Sequence, residues 1–468
     1  MMNRTFTQRA ITQRALAPLA LALALSGCAS MAPKYERPAA PVAASFPGAA
    51  GDAAATAAGD IGWQTFFQDV QLQALIASAL QNNRDLRVAL LNIEQARAQH
   101  QIRRADALPT LNLALSGARA PGSGGAMTST YVAGVGVTSF ELDFFGRVRS
   151  LSDAALAQYL ATEEARRNVQ ISLVAAVANI YLSLLADADS LALTRKTLEA
   201  RNESLKLTKL KFDQGVVSAL DYQQTLSLVE GARVTLAQQE RQRALDVNAL
   251  TLLVGQPVTV EVEGGAALRS VTMPATLTAS LPSDLLMRRP DIRQAEQQLI
   301  ASNANIGAAR AAFFPRIALT TSAGLASNEL SGLLRGGALA WSFAPQLVLP
   351  LFDHGRNQAN LGVAQASRDI AVAQYEKSIQ VAFREVSDAL AGQATYSEQL
   401  RAQTAQADAE MARFKLSDLR YRNGVSSYLD LLDAQRSLFL AQQAVVQTRL
   451  AQLQNQVTLY KVLGGGLK

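Results

Sequence analysis

The chain repeats itself. Asp85-Leu86-Arg87 returns as Asp291-Ile292-Arg293 and Pro109 as Pro315, both 206 positions on. Further along the offset is 209: Gly146-Arg147 returns as Gly355-Arg356, Gly215-Val216 as Gly424-Val425, Leu220-Asp221 as Leu429-Asp430, and Gly255 as Gly464. A tandem duplication of this length means one unit built twice, so each element of the first half has a counterpart in the second. The repeats are 63–256 and 282–468, with 257–281 linking them. The three added residues fall in the second hairpin region.

All 14 prolines lie outside 122–256 and 351–468, which are rich in Ala, Leu, Gln, Glu, Lys and Arg. Uninterrupted helix formers predict helical pairs over about 147–254 and 356–463. Val177, Leu184, Leu191, Leu198, Leu205 and Phe212 recur every seventh residue, as do Leu432, Phe439, Val446, Leu453 and Tyr460. Heptad spacing predicts helices wound on partner helices. A helix from about 150 to 212 spans roughly 90 Å, longer than an ordinary globular domain surrounds.

Ahead of each helical stretch lies a β-type hairpin, about 108–142 and about 315–351. Leu111, Leu113 and Leu115 alternate with Thr110, Asn112, Ala114 and Ser116; Leu339, Trp341, Phe343, Leu347, Leu349 and Leu351 alternate with Ala340, Ser342 and Gln346, one proline interrupting. The strand at about 131–142 is less regular, since Glu141 shares parity with Val135 and Val137. Gly/Ser-rich loops at 117–130 and 322–338 join each pair. Segments of about ten residues, apolar on one face and polar on the other, fit membrane strands. Four strands cannot close a barrel and an open edge is not tolerated in lipid, so the chain must oligomerise. Two chains give eight strands with a filled interior; three give twelve with room for a lumen.

Residues 1–27 carry Arg4, Arg9, Arg14 and no acid, then an apolar run from Ala15 to Leu25. That reads as a signal peptide, too short to persist as a spanning helix. Leu25-Ser26-Gly27-Cys28 has the form of a bacterial lipobox. Cys28 is the only cysteine, so it forms no internal disulfide and is expected to carry a covalent lipid. Residues 28–62, rich in Ala, Pro and Gly, read as a tether. Loss of the three leader arginines takes the net charge from +6 to +3, and no basic block points to nucleic acid. His100 and His354 occupy unrelated places in the repeats, so no Cys/His metal cluster, other cofactor or catalytic site is expected.

Leu281-Pro-Ser-Asp-Leu-Leu-Met-Arg-Arg-Pro-Asp-Ile-Arg-Gln-Ala-Glu296, Phe140-Glu-Leu-Asp-Phe-Phe-Gly-Arg147, the paired Gly-Val turns and the Cys28 lipobox together resemble the outer-membrane efflux lipoproteins of the TolC/OprM type, in the drug-efflux, NodT-like branch. The resemblance implies a homotrimer: a twelve-stranded β-barrel, four strands per chain, continuous with a long α-helical coiled-coil barrel. It also implies a mixed equatorial belt drawn from about 257–285 and the chain ends, a periplasmic adaptor, and an inner-membrane RND-type transporter as partners. The lipobox and the Leu281–Glu296 segment favour small-molecule cargo; protein export by type I secretion and metal-cation efflux are the alternatives, and a trimeric adhesin is disfavoured because the strand pairs precede the helices.

In similar proteins the turns Gly215-Val-Val-Ser-Ala-Leu-Asp221 and Gly424-Val-Ser-Ser-Tyr-Leu-Asp430 form the periplasmic tip that closes the channel. Gly215 and Gly424 suit the left-handed end of a helix. Asp430 and Asp433, three apart, share a face, and threefold symmetry would gather six carboxylates, favouring cations. Asp430 equally suits a helix cap, and so does Asp221. Tyr421 and Asp221 match positions that hold neighbouring coils in similar channels; where some relatives carry a gating arginine this chain has Ser426, which leaves Leu429 and Asp430 as candidate gate residues. Gly146 and Gly355 mark the strand-to-helix junctions, beside Phe144, Phe145 and Phe352, which suit a membrane interface.

Overall fold

A computed structural model describes residues 30–46, 61–121, 125–259, 267–273, 288–335 and 338–467. The signal peptide, Cys28, most of the 257–281 linker and the 281–287 portion of the Leu-Pro-Ser-Asp motif lie outside the described residues.

In chain order the helices and strands are α1 Trp63–Phe66, α2 Val70–Asn82, α3 Arg84–Ala105, β1 Leu111–Pro121, β2 Met127–Leu142, α4 Arg147–Asp213, α5 Ala219–Val254, α6 Ala267–Ser270, α7 Pro290–Ala311, β3 Arg316–Ser327, β4 Leu339–Val348, α8 Arg356–Arg422 and α9 Tyr428–Val462. Helices α4 and α8 are each 67 residues, about 100 Å at ~1.5 Å per residue. The chain forms two compact units, each drawing on both repeats: Met1–Ala39, Leu91–Glu163 and Gln294–Lys377 in one, Ala40–Leu90, Glu164–Arg293 and Ser378–Lys468 in the other.

The first unit holds one antiparallel sheet in the order β1-β2-β3-β4. Its register sorts the side chains by face. Leu113 pairs with Val135, Ala323 with Trp341 and Leu325 with Leu339 on one face; Asn112 pairs with Gly136, Gly134 with Gly324 and Ser322 with Ser342 on the other. At Gly134 a Cβ would stand 2.7 Å from the Ala323 carbonyl oxygen, so this close crossing of strands requires glycine. The strands run further than expected. β1 continues through 117–121, β2 starts at Met127, and β3 runs to Ser327.

The irregular parity of Glu141 has a structural cause. Between Val137, opposite Thr321, and Phe140, opposite Leu319, β2 carries an extra residue, and Ser139 takes φ +54°. This bulge exchanges the faces. Phe140 and Leu142 join the apolar face, and Glu141, opposite Ala318, moves to the face of Gln346. The parity clash read from the sequence therefore does not exist in the folded strand.

The segment read as a tether packs on the first unit where it is described. Residues 30–39 are docked: Tyr35 Oη and Arg37 Nε donate to Glu296 of α7 at 3.0 and 2.7 Å, Asn303 to the Pro33 carbonyl at 2.7 Å and Arg310 to that of Met31 at 3.2 Å. Buried alanines, among them Ala157, Ala161, Ala301 and Ala304, line the helices of this unit.

The core of the second unit is aromatic and aliphatic. Phe66 stacks on Tyr460 at 4.0 Å, Phe67 meets the same ring edge-on, and Val177, Leu182, Leu184, Leu250 and Val457 complete the cluster. Four-residue α1 cannot persist alone; burial of Trp63 and Phe66 holds it. Of the heptad leucines in α4, burial is complete at Val177 and Leu184, partial at Leu198 and Leu205, and Phe212 is exposed.

Candidate functional site

The two helix pairs reverse at turns of one design. Gly215 and Gly424 both have φ +71°, a left-handed conformation that costs glycine nothing. Past them, Val216 N–H donates to the Lys211 carbonyl at 2.8 Å and Val425 N–H to that of Arg420 at 2.9 Å, satisfying the helix ends. Each return helix opens with a capping box: Asp221 N–H donates to Ser218 Oγ at 3.1 Å while Ser218 N–H donates to Asp221 Oδ2 at 3.2 Å, and Asp430 and Ser427 do the same at 3.3 and 3.2 Å.

Asp430 and Asp433 are not equivalent. Asp430 occupies its cap, with Leu429 exposed beside it. Asp433 receives Arg413 at 2.5 Å and Arg436 at 2.7 Å, and those two guanidiniums hold its carboxyl below the usual carboxylate range. Asp433 is thus held by two arginines, and Asp430 by its own cap.

Tyr421 bonds Lys211, whose Nζ donates to its Oη at 3.3 Å and lies 5.0 Å from its ring centre. Its ring tilts against Tyr428 at 5.1 Å. Ser426, two residues after Gly424, has a buried hydroxyl without a partner among the described residues.

A stripe of residues went unread in the sequence. Three positions after Leu184, Leu191, Leu198 and Leu205 stand Asp187, Thr194, Arg201 and Thr208, also seven apart, and the last three are buried. Arg201 donates to the Leu228 carbonyl at 2.9 Å and lies 5.3 Å from the Phe439 ring; burial pulls its pKa down. Asp187 is pushed up to about 7, first by burial and then by the Asp246 carboxylate beside it. The signal was present as a polar heptad, which an apolar search passes over.

The Arg-Arg-Pro-Asp-Ile-Arg motif builds ionic clusters. Arg289, buried, bonds Asp291 at 2.6 Å, Glu385 at 2.8 Å and the Val462 carbonyl at 3.1 Å; Arg293 bonds Glu164 at 2.8 Å. At the junctions Gly146 and Gly355 have φ +70° and +82°. Asp143 accepts from Arg149 N–H at 2.8 Å and Asp353 from Asn357 N–H at 2.8 Å, capping α4 and α8. Glu141 adds to the first junction alone, bonding Arg147 at 2.7 Å and Arg316 at 2.5 Å. Phe145 stacks on Phe314 at 4.9 Å, whereas Phe144 and Phe352 are exposed.

A duplicated chain with two very long helical pairs, matched glycine turns and one four-stranded sheet apolar on one face defines an outer-membrane channel subunit. The model of the outer membrane efflux protein family matches residues 75–256 and 281–465, and the chain belongs to that family. It is an outer-membrane efflux channel, from a family of channels and not of enzymes.

Among relatives, it is 47% identical to the toluene efflux pump outer membrane protein TtgC of Pseudomonas putida, over 97% of this chain and 96% of that one. It is also 47% identical to the outer membrane protein OprJ of Pseudomonas aeruginosa, over 96% and 95%. Among solved structures it is similar to the open state of the MtrE outer membrane channel of Neisseria gonorrhoeae, with TM-score 0.86, 39% identity and coverage of 94% and 99%. A membrane protein from Pseudomonas aeruginosa gives TM-score 0.85 at 45% identity, covering 94% and 98%.

Proposed function

We propose that three copies join their sheets into a twelve-stranded barrel in the outer membrane, continued by an α-helical barrel of the long helical pairs, and that this trimer passes drugs, solvents or similar small molecules outward. The carrying observation is the sheet. Leu113, Leu339 and Trp341 are 73%, 77% and 76% exposed on one face, and both β1 and β4 have an unpaired edge. Lipid covers such a face, and only neighbouring sheets satisfy such edges. With an even number of antiparallel strands, β4 of one copy meets β1 of the next antiparallel, so the ring closes without a register conflict.

A conduit supplies no energy. A periplasmic adaptor and an inner-membrane RND-type transporter would deliver cargo to the tip, as the relatives' names as pump components suggest. Cys28 would carry the lipid anchor, and Leu429 and Asp430 at the tip would narrow the path. The test is accumulation of a fluorescent efflux dye in cells lacking this gene, with the cognate pump genes intact and redundant channels removed. Higher accumulation, reversed by the gene, supports the proposal; unchanged accumulation rejects small-molecule cargo.

A further inference from the structure

Tyr428 is the first residue of α9, directly after the capping Ser427 at the second tip turn. It is buried, and its hydroxyl meets three others: Ser204 Oγ at 3.0 Å and Thr208 Oγ1 at 3.3 Å from α4, and Thr225 Oγ1 at 3.0 Å from α5. Thr225 Oγ1 also lies 2.7 Å from the Asp221 carbonyl. A threonine hydroxyl has one proton; with that proton on the carbonyl, the phenol donates to Thr225. It then accepts from Thr208 and Ser204. One donor and two lone pairs are all in use, so the phenol is saturated and all three partners belong to the other helix pair.

Two further observations set this cluster apart. The repeat places Ala219 where Tyr428 stands in the second half, each directly following its capping serine, so the first tip turn has no such tie. The cluster also lies where the apolar seam of α4 thins out and Thr194, Arg201 and Thr208 occupy its buried positions. Apolar packing tolerates small slides, whereas hydroxyl bonds are directional and are either made or broken.

We propose that the Tyr428 hydroxyl is a gating tie, a positioning residue that holds the second tip turn against the α4–α5 pair, and that this turn moves outward only when its three bonds break. The proposal rests on the reading of the tip as the closure. The phenol oxygen alone carries the tie, so Y428F keeps the ring beside Leu431 and Leu432 and removes only the bonds. Ser204 and Thr208 can then turn to carbonyls one turn back in their own helix, as helical Ser and Thr do, which keeps the fold.

The test is single-channel recording of the full-length lipidated trimer in planar bilayers, with thermal unfolding measured on the same preparation. Y428F is expected to raise the open fraction by about tenfold, the factor for loss of roughly one buried hydrogen bond, with little change in melting temperature. The triple variant S204A/T208V/T225V should act in the same direction, and Y428F added to it should have no further effect. Wild-type gating in Y428F, or independent addition of the two effects, overturns the tie. D430A run in parallel separates the failures: altered conductance in D430A with unaltered Y428F rejects the tie alone, and no change in either rejects the tip as the closure as well.

Discussion

Arg413 of α8 holds Asp433 of α9 at 2.5 Å, and Arg436, one turn further along α9, binds the same carboxylate at 2.7 Å. The acid nearest in sequence to Asp430 is thus spoken for within its own chain. Asp433→Ala should lower cation selectivity more than Asp430→Ala, because it removes a carboxylate and also leaves Arg413 and Arg436 without their shared counter-charge. Its stability cost should be small, because these ion pairs are exposed and water screens them. The depressed carboxyl sets the pH window: the pairs are complete above the ordinary aspartate range and fail only as pH falls through the lowered value. Reversal-potential measurements on both variants at pH 5 and 7 check this, and equal selectivity shifts would contradict it.

Glu141 should matter to the sheet more than its single charge suggests. It closes the end of β2 onto the start of β3 through Arg316 and onto the start of α4 through Arg147. Glu141→Gln keeps the volume and removes the charge from a side chain only 10% exposed, against arginines that are 34% and 58% exposed. Water screens those partners, so the expected loss is about 1–2 kcal/mol, below the ~3–5 of a fully buried pair. The heat-induced mobility shift of the proposed trimer in detergent gels should move to lower temperature. An unchanged transition would show that the bulge places Glu141 for some other purpose.

How much of this was readable beforehand follows from which interactions are local. Alternation at Leu111, Leu113 and Leu115 and at Leu339, Trp341 and Phe343 describes side chains whose face depends on chain position alone, and the folded sheet shows the same faces. Glu141 was misread because one extra residue shifts the period, and nothing in Thr138-Ser139 signals a bulge. The glycine turns were legible because a left-handed φ selects glycine. Docking of 30–39 was not, since it depends on Glu296, more than 250 residues away. The motif ending at Glu296 was recognised as a pattern, while its ionic partners, Glu385 and Glu164, lie far from it in the chain.

Asp187 gives the second unit a pH dependence of its own. Its carboxyl, raised to about 7, prefers the protonated form when folded and the ionised form when unfolded. The sign follows: an acid with a raised folded pKa binds more protons folded than unfolded between about 4 and 7, so stability falls as pH rises through that window and levels off above it. Asp187→Asn should flatten that decline and raise the melting temperature at pH 8 more than at pH 5. Melting curves of both proteins across pH 5–8 measure it. Parallel curves would mean that the two carboxylates are kept apart by water in solution.

Removal of Arg37 should loosen the docked strap without touching the channel wall. Glu296 is a buried carboxylate that receives Arg37 Nε at 2.7 Å, Arg37 Nη2 at 3.0 Å and Tyr35 Oη at 3.0 Å. Arg37→Ala takes two of those bonds and the counter-charge. The arginine is 46% exposed, so water softens the loss to about 1–2 kcal/mol. Glu296→Gln in the same background should recover part of it, because a neutral amide tolerates burial without a cation. If the strap is held mainly by this pair, limited proteolysis should cut within 30–46 several-fold faster in Arg37→Ala and nearer the wild-type rate in the double variant. Unchanged cleavage would shift the weight to the carbonyl bonds from Asn303 and Arg310, which fasten the segment through its backbone and do not depend on charge.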